Sequence, residues 1–198
     1  MRINSAITNL SFQKKLEAYC NIKTNDSAIP CYIYQLDPDE DKFFFQNLNK
    51  ESAWENSEYM ILLGYDLRNT KIKPHTSVHE IETKNGECIG CFSLVDKGMT
   101  YCVELLETAP KYQNNKKNSK YQYIGETLLS FVAKLAKQNG RKEVYLDSAY
   151  SAIDFYKNHC FFKNVEFLSN EMHLNRKNFD KLIEQNAKHT GKNIEIVI

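Results

Sequence analysis

The stretch from Val78 to Thr108 constrains the fold more than any other part of the chain. "VHEIET", residues 78–83, alternates like a strand with one buried face. Asn85-Gly86 follows, a strong short hairpin signal because both residues tolerate the positive φ that tight hairpin turns need. "ECIGCFSLV" then runs apolar to a second turn at Asp96-Lys97-Gly98, and "MTYCVELLET", 99–108, continues as a further strand. Strands joined by turns this short pair antiparallel, since a parallel crossover needs a dozen residues or more.

The elements around this meander alternate. "PCYIYQL", 30–36, is β-rich, and Asp37-Pro38 with the acidic residues after it resembles a helix start that would carry Phe43, Phe44 and Leu48 inward. Residues 11–20 have the spacing of a short helix presenting Phe12, Leu16 and Tyr19, while "YMILLGYDL", 59–67, reads as a buried strand. Beyond the meander, Leu128, Leu129, Val132, Leu135 and Ala136 recur at helical spacing, and Gly140 is placed to stop that helix. "EVYLDS", 143–148, is a buried strand. Ser151 and Asp154 form a capping-box pattern for a helix from about Ala152. "FFKNVEFL" and "EMHLN" read as two last strands, "NFDKLIEQNAK" as an amphipathic helix, and "IEIVI" as a strand-like tail that pairs within the sheet or across a dimer. This order predicts an α/β domain, with helices packed on a mostly antiparallel sheet.

Composition narrows the function classes. The chain has 198 residues, enough for one domain with a sizeable core, and its 42% hydrophobic and 26% charged content is that of a soluble globular protein. A net charge of +1 favours neither nucleic acid nor an anionic membrane in bulk, so anion affinity must come from a local cluster. No apolar run reaches the roughly 18 residues of a membrane span, and "MRINSAITNLSFQKK" lacks the apolar core of a secretory signal, so a cytoplasmic location is expected. Six cysteines in such a compartment are expected as free thiols. Cys88 and Cys91 form a CxxC, but in a regular strand residues three apart face opposite sides, and no second ligand pair accompanies them. The five histidines form no HxxxH or HxH pair, so no metal site is expected.

The chemistry concentrates in three consecutive segments. A strand ends before Pro110, a lysine-rich loop with one glycine, "KYQYIGETLL" (120–129), enters a helix, and a buried strand leads to "AIDFYKNHCF" (152–161). Free N–H groups at a helix start, together with the helix dipole, favour an anion there. These segments in this order resemble the GNAT superfamily of acyl-CoA-dependent N-acetyltransferases, over about residues 78–174. The loop stands where that family has Q/R-x-x-G-x-G/A, and "AIDFYKNHCF" stands where it has A-x-x-F-Y-x-x-x-G-F. Two positions depart from the pattern. Tyr123 replaces the first loop glycine, discouraging φ > 0 and close phosphate approach, and Cys160 replaces the glycine expected to cap the tyrosine helix.

The resemblance implies a GNAT-like sheet, with helices on both faces, splayed between its two central strands. It implies a domain over 30–174, an N-terminal extension over 1–29 packed on it, and a C-terminal helix and tail over 175–198. It implies acetyl-CoA as acyl donor, with Leu106, Glu107 and Thr108 beside its pantetheine. Lys120, Tyr121, Gln122, Tyr123, Ile124, Gly125 and Glu126 would form the pyrophosphate loop, and Ser148 would join the cofactor site. Lys111, Lys116, Lys117 and Lys120 could steer the 3′-phosphate. Tyr156 takes the position of the proton donor to the CoA sulfur, and Glu104 and Glu107 are both candidates for the base that deprotonates the amine. A bulge, common on this strand in the family, would decide which of the two faces the site. The expected partners are acetyl-CoA and an amine acceptor on a small molecule or a protein, in a monomer or homodimer without membrane or strong nucleic-acid signal. The alternative is a GNAT-fold binding module with weak or no catalysis.

Overall fold

A computed structural model describes residues 14–55, 57, 60–73, 75–113, 119–166 and 169–197. One nine-stranded sheet organises them, in the order β7-β8-β6-β5-β4-β3-β2-β1-β9. The strands are β1 (Lys15–Lys23), β2 (Ala28–Gln35), β3 (Thr76–Thr83), β4 (Cys88–Asp96), β5 (Thr100–Thr108), β6 (Glu143–Asp147), β7 (Lys163–Asn164), β8 (Glu171–Asn175) and β9 (Glu195–Ile196). All pairings are antiparallel except β5 with β6. The helices are α1 (Phe44–Leu48), α2 (Met60–Asn69), α3 (Ile124–Gln138), α4 (Ile153–Cys160) and α5 (Phe179–Thr190).

The meander forms as its turns require, with Gly86 and Gly98 both at positive φ, 82° and 81°. Its two sheet faces have different coverings. Tyr34, Glu80, Cys91 and Glu107 are successive cross-strand partners and form a row on the face where Glu80 and Cys88 line a small cavity with α1 side chains; α2 packs against β3 and β4, and α1 against α2. The other face carries His79 and Phe92, both packed on Phe131 of α3, and α5 packs on α3 in turn. Trp54, wholly buried, ties the segment before α2 to the sheet through Nε1–H donated to the Cys88 carbonyl at 2.9 Å.

Several expectations are overturned. The segment read as a helix over 11–20 is strand β1 from Lys15 onward, where pairing with β2 and β9 buries Ala18, Cys20 and Ile22; Phe12 lies outside the described residues. The apolar run read as a strand is helix α2. Met60, Leu63 and Leu67 turn inward at helical spacing, while Ile61, Leu62 and Tyr65 are exposed, which is why the run has no polar stripe to betray its period. In α1, Phe45 and Leu48 point inward and Phe43 is exposed. Asp37 Oδ1 does cap a turn, accepting the N–H groups of Asp39 and Glu40, but no long helix follows. The helix α4 starts one residue later than expected, and its N-cap Ala152 makes no side-chain capping bond, so Ser151 and Asp154 form no capping box. The left-handed residue that ends α4 is Phe161, φ 60°, rather than Cys160, which is buried. The tail pairs inside the sheet, β9 lying antiparallel to β1.

Cys88 and Cys91 do not face opposite sides. A bulge at Ile89 lets Cys88 pair with Glu82 and Gly90 with Ile81, which shifts the parity and brings the two sulfurs to 3.5 Å on one face. All six cysteines are free thiols. Burial pushes the Cys88 thiol up, with Cys91 adding to the effect, as suits a buried, unreactive pair. Among the described residues no His, Cys, Asp and Glu group could hold a metal ion, and no helix is long and apolar enough to cross a membrane.

Candidate active site

The sheet opens where β5 leaves β6. Their parallel pairing runs from Thr100–Glu143 to Val103–Leu146 and stops. A bulge lies at that point: Leu94 faces Val103 and Ser93 faces Leu105, so Glu104 is the extra residue. The bulge bends β5 and reverses the side-chain alternation beyond it. Glu104 is exposed, whereas Glu107 is 4% exposed on the row shared with Cys91.

A cleft of about 460 Å³ fills the opening between the end of β5, the start of α3 and α4. Leu106, Glu107 and Thr108 line one wall; Tyr123, Ile124, Gly125 and Glu126 form its end; Ser151, Asp154, Phe155, Tyr156, Asn158 and His159 line the opposite wall. Eight sequence-predicted residues thus come together: the three from β5, the four at the helix start, and Tyr156.

The end wall is the start of α3, with its first N–H groups. The first bond inside α3 runs from Thr127 N–H to the Tyr123 carbonyl at 2.9 Å. The N–H groups of Tyr123, Ile124, Gly125 and Glu126 precede it and have no acceptor among the described residues. Tyr123 takes the left-handed conformation itself, φ 63° and ψ 22°, so the residue that was expected to discourage that geometry adopts it. Its ring stacks on His189 of α5, centroids 4.2 Å apart and planes 18° from parallel. Gly125 is small for a different reason. A Cβ there would lie 3.2 Å from Phe155 Cζ, so its absence lets α4 close against the start of α3. The Glu126 carboxylate, 1% exposed, turns to α5, where Gln185, Asn186 and His189 hold it.

On the α4 wall, Tyr156 is 8% exposed and packs edge-on between Phe155 and Phe162, centroids 5.2 and 5.7 Å away. On the β5 wall, Ser57 donates its hydroxyl to Glu107 Oε2 at 2.6 Å and accepts the N–H of Met60 at 3.2 Å, so one side chain both starts α2 and positions the carboxylate. The sequence carries no signal for Ser57, fifty residues away from Glu107. Nor did it assign Asp154, Phe155, Asn158 and His159 to the site, though Asp154 was read as part of a capping box and Phe155 as part of the motif; all four line the cleft from α4, and their helical spacing around Tyr156 could have pointed to them.

The remaining candidates lie elsewhere. Lys120 and Tyr121 gather with Tyr112 on Glu87 of the β3–β4 hairpin, Lys120 Nζ at 3.0 Å and Tyr121 Oη at 2.7 Å. Burial alone would raise the Glu87 pKa, but these donors hold it below the ordinary carboxylate value. Gln122 gives its N–H to the Lys23 carbonyl and its amide to Asn25. Ser148 is buried past the end of β6, bonded to the Ala149 and Asn170 carbonyls. Lys111 is exposed, with Nζ 5.9 Å from the Tyr112 ring, and Lys116 and Lys117 lie outside the described residues. Among the described residues, no lysine or arginine lines the cleft.

No protein-family model and no curated protein matches the sequence. Solved structures do match the fold. A chimera of the spermidine N-acetyltransferase SpeG from Vibrio cholerae with hSSAT superposes with a TM-score of 0.53 at 16% identity, over 75% of this chain and 97% of its own. AtaTR bound with acetyl-CoA gives a TM-score of 0.57 at 13% identity, over 77% and 97%. The PaiA N-acetyltransferase from Thermoplasma acidophilum in complex with coenzyme A gives 0.50 at 17% identity, over 73% and 98%. The mostly antiparallel open sheet flanked by helices agrees with the expectation, and it superposes on these acetyltransferase structures: this chain has the GNAT fold.

Proposed function

We propose that this protein is an acetyl-CoA-dependent N-acetyltransferase whose cleft binds the donor and delivers its acetyl group to an amine. The observation that carries this reading is the set of four N–H groups at Tyr123–Glu126, without acceptors among the described residues and opening on the cleft. Such a helix start suits a diphosphate. The cleft also fits the rest of the donor. Past Val103 the edge of β5 toward β6 has no ladder partner among the described residues; because Ala109 N–H bonds the Ile89 carbonyl of β4, the backbone of Glu107 also faces β4 and that of Leu106 is turned to the open edge, available to an extended amide-bearing chain, while the Thr108 carbonyl already accepts Gln113 Nε2–H at 2.8 Å. With no cation among its described lining residues, the cradle would hold phosphate through backbone dipoles.

Bound acetyl-CoA supplies an activated acetyl thioester. Tyr156, on the wall opposite β5, is the group we assign to protonate the departing sulfur. Glu107, oriented by Ser57, is the base we assign to take a proton from the attacking amine. Glu104, exposed at the bulge, is not assigned a role.

Calorimetry with acetyl-CoA tests the reading, followed by a thiol-release assay across a panel of amines. Absence of binding at sub-millimolar acetyl-CoA would sink it. One observation favours the second reading, a GNAT-fold binding module: Lys120, in the position of the family's Gln or Arg, is held by Glu87. Donor binding without turnover on any amine of the panel would select that reading.

A further inference from the structure

The left-handed conformation of Tyr123 needs an explanation. Among the described non-glycine residues only Tyr123 and Phe161 have positive φ. For a non-glycine residue this region is disfavoured roughly five- to thirty-fold. Yet Tyr123 is the N-cap at which the loop turns into α3, and the residues of the first turn that follow it line the cleft.

What stands against Tyr123 is α5. The His189 ring lies face to face with the tyrosine ring at 4.2 Å. His189 is itself fixed, with Nδ1 2.9 Å from Glu126 Oε1. Gln185 Nε2–H donates to the other Glu126 oxygen at 2.9 Å, and Asn186 Nδ2–H donates to Thr127 Oγ1 at 2.8 Å. Two successive turns of α5 therefore hold the cap residue and the first turn of α3 together. The contact is specific to the ring of residue 123: a glycine there would reach the same φ freely and offer α5 nothing to stack on.

We propose that α5 is the device that holds the anion cradle in its binding shape, and that His189 is a positioning residue acting through Tyr123. The helix beyond the segments that resemble the acetyltransferases thereby replaces the missing loop glycine. The inference rests on the reading of the cleft as the acetyl-CoA site, but its structural half can be measured without ligand.

The test is a four-cornered set on the full chain: wild type, His189→Ala, Tyr123→Gly and the double variant. In urea unfolding, Tyr123→Gly should change the folding constant less favourably in the wild type than in the His189→Ala background, by roughly two- to ten-fold, because only the wild type loses the stack. In the His189→Ala background it should raise that constant by roughly five-fold or more, where it only relieves the backbone. Additive effects in the cycle would overturn the proposal. In calorimetry, His189→Ala should weaken acetyl-CoA binding by roughly five- to thirty-fold, His189→Phe, which keeps a stacking ring, by no more than about two-fold, and the double variant should recover. In turnover, His189→Ala should raise KM for acetyl-CoA with little change in kcat. An equal loss of affinity in both backgrounds would also overturn it, because His189 would then act independently of Tyr123. A coupled unfolding cycle in a wild type that binds no acetyl-CoA would refute the proposed function and leave the α5–Tyr123 coupling standing.

Discussion

Gly90 is the position at which a single methyl group should most clearly disturb both the fold and the cleft. It lies on β4 between Ile81 and Thr108, directly under the start of α3. A Cβ added there would stand 2.9 Å from Ile124 Cγ2, 3.1 Å from Leu128 Cδ1 and 3.2 Å from Ile81 Cγ2. The leucine methyl can swing away, but the two isoleucine methyls are branched at Cβ and stiff, so the closest contact is relieved only by moving backbone. Overpacking of this kind destabilises by about 1–3 kcal/mol. Removing a flexible strand glycine returns roughly 0.5–1 kcal/mol. With the closest contact at 2.9 Å against a stiff methyl, the overpacking cost falls in the upper part of its range, about 2–3 kcal/mol, so the net expectation for Gly90→Ala is a loss of about 1–2.5 kcal/mol, which at about 2–4 °C per kcal/mol for a chain of this size lowers Tm by roughly 2–10 °C. Because Ile124 carries one of the cradle's N–H groups, acetyl-CoA affinity should fall with it. Gly64→Ala is the control of opposite sign. Its Cβ would meet Phe45 no closer than 3.5 Å, an ordinary contact, and alanine in a helix is favoured by about 1 kcal/mol, so Tm should rise. Calorimetric melts and acetyl-CoA titrations of the two variants check this. A Gly90→Ala protein as stable as wild type would mean that α3 does not seat on that strand as described.

Three further outcomes are expected. Tyr156→Phe should reduce turnover by about 10²-fold or more while KM for acetyl-CoA changes by less than about two-fold; unchanged turnover would remove the hydroxyl from its assigned role. Glu107→Gln, which can still accept the Ser57 hydrogen bond, should also reduce turnover by about 10²-fold, with a smaller loss for Ser57→Ala accompanied by about 1 kcal/mol of stability from the lost helix start; equal activity of Glu107→Gln and wild type would exclude it as the base. Glu80 is wholly buried, and burial pushes its pKa up to about 7 against the opposing pull of Lys14. Between its unfolded value of 4.5 and about 7 the folded chain keeps a proton that the unfolded chain has lost, so stability falls as pH rises through that window. Melts at about pH 5 and 8 should therefore show wild type losing stability relative to Glu80→Gln; a difference that stays constant with pH would refute the assignment.

The meander and the helix α3 were legible because their signals are local. Asn85-Gly86 and the Asp96–Gly98 turn set the chain reversals, and the α3 apolar stripe has a clear period. The cleft's helix start and Tyr156 were legible through motif residues adjacent in sequence. What failed was whatever depends on partners distant in sequence or on a change of register. Lys15–Lys23 is a strand because β2 and β9 flank it, and nothing within it says so. Helix α2 hides its period by exposing Ile61, Leu62 and Tyr65. Parity reasoning separated Cys88 from Cys91, and it left Glu104 and Glu107 undecided, because each of the two strands contains an extra residue that no spacing rule registers.

The same limit explains Tyr123. From the loop alone, a tyrosine in place of glycine is a loss of conformational freedom and counts against an anion site. Freedom, however, matters only to a loop that must find its conformation unaided. Here the ring that restricts residue 123 also gives α5 a surface to hold, and the buried Glu126 anchors His189 in place from the next turn. A held tyrosine can present the four N–H groups as well as a glycine does, with less entropy left to lose when an anion binds. The residue that makes the loop look unfit in sequence is, in the fold, the point at which the C-terminal helix governs the cleft.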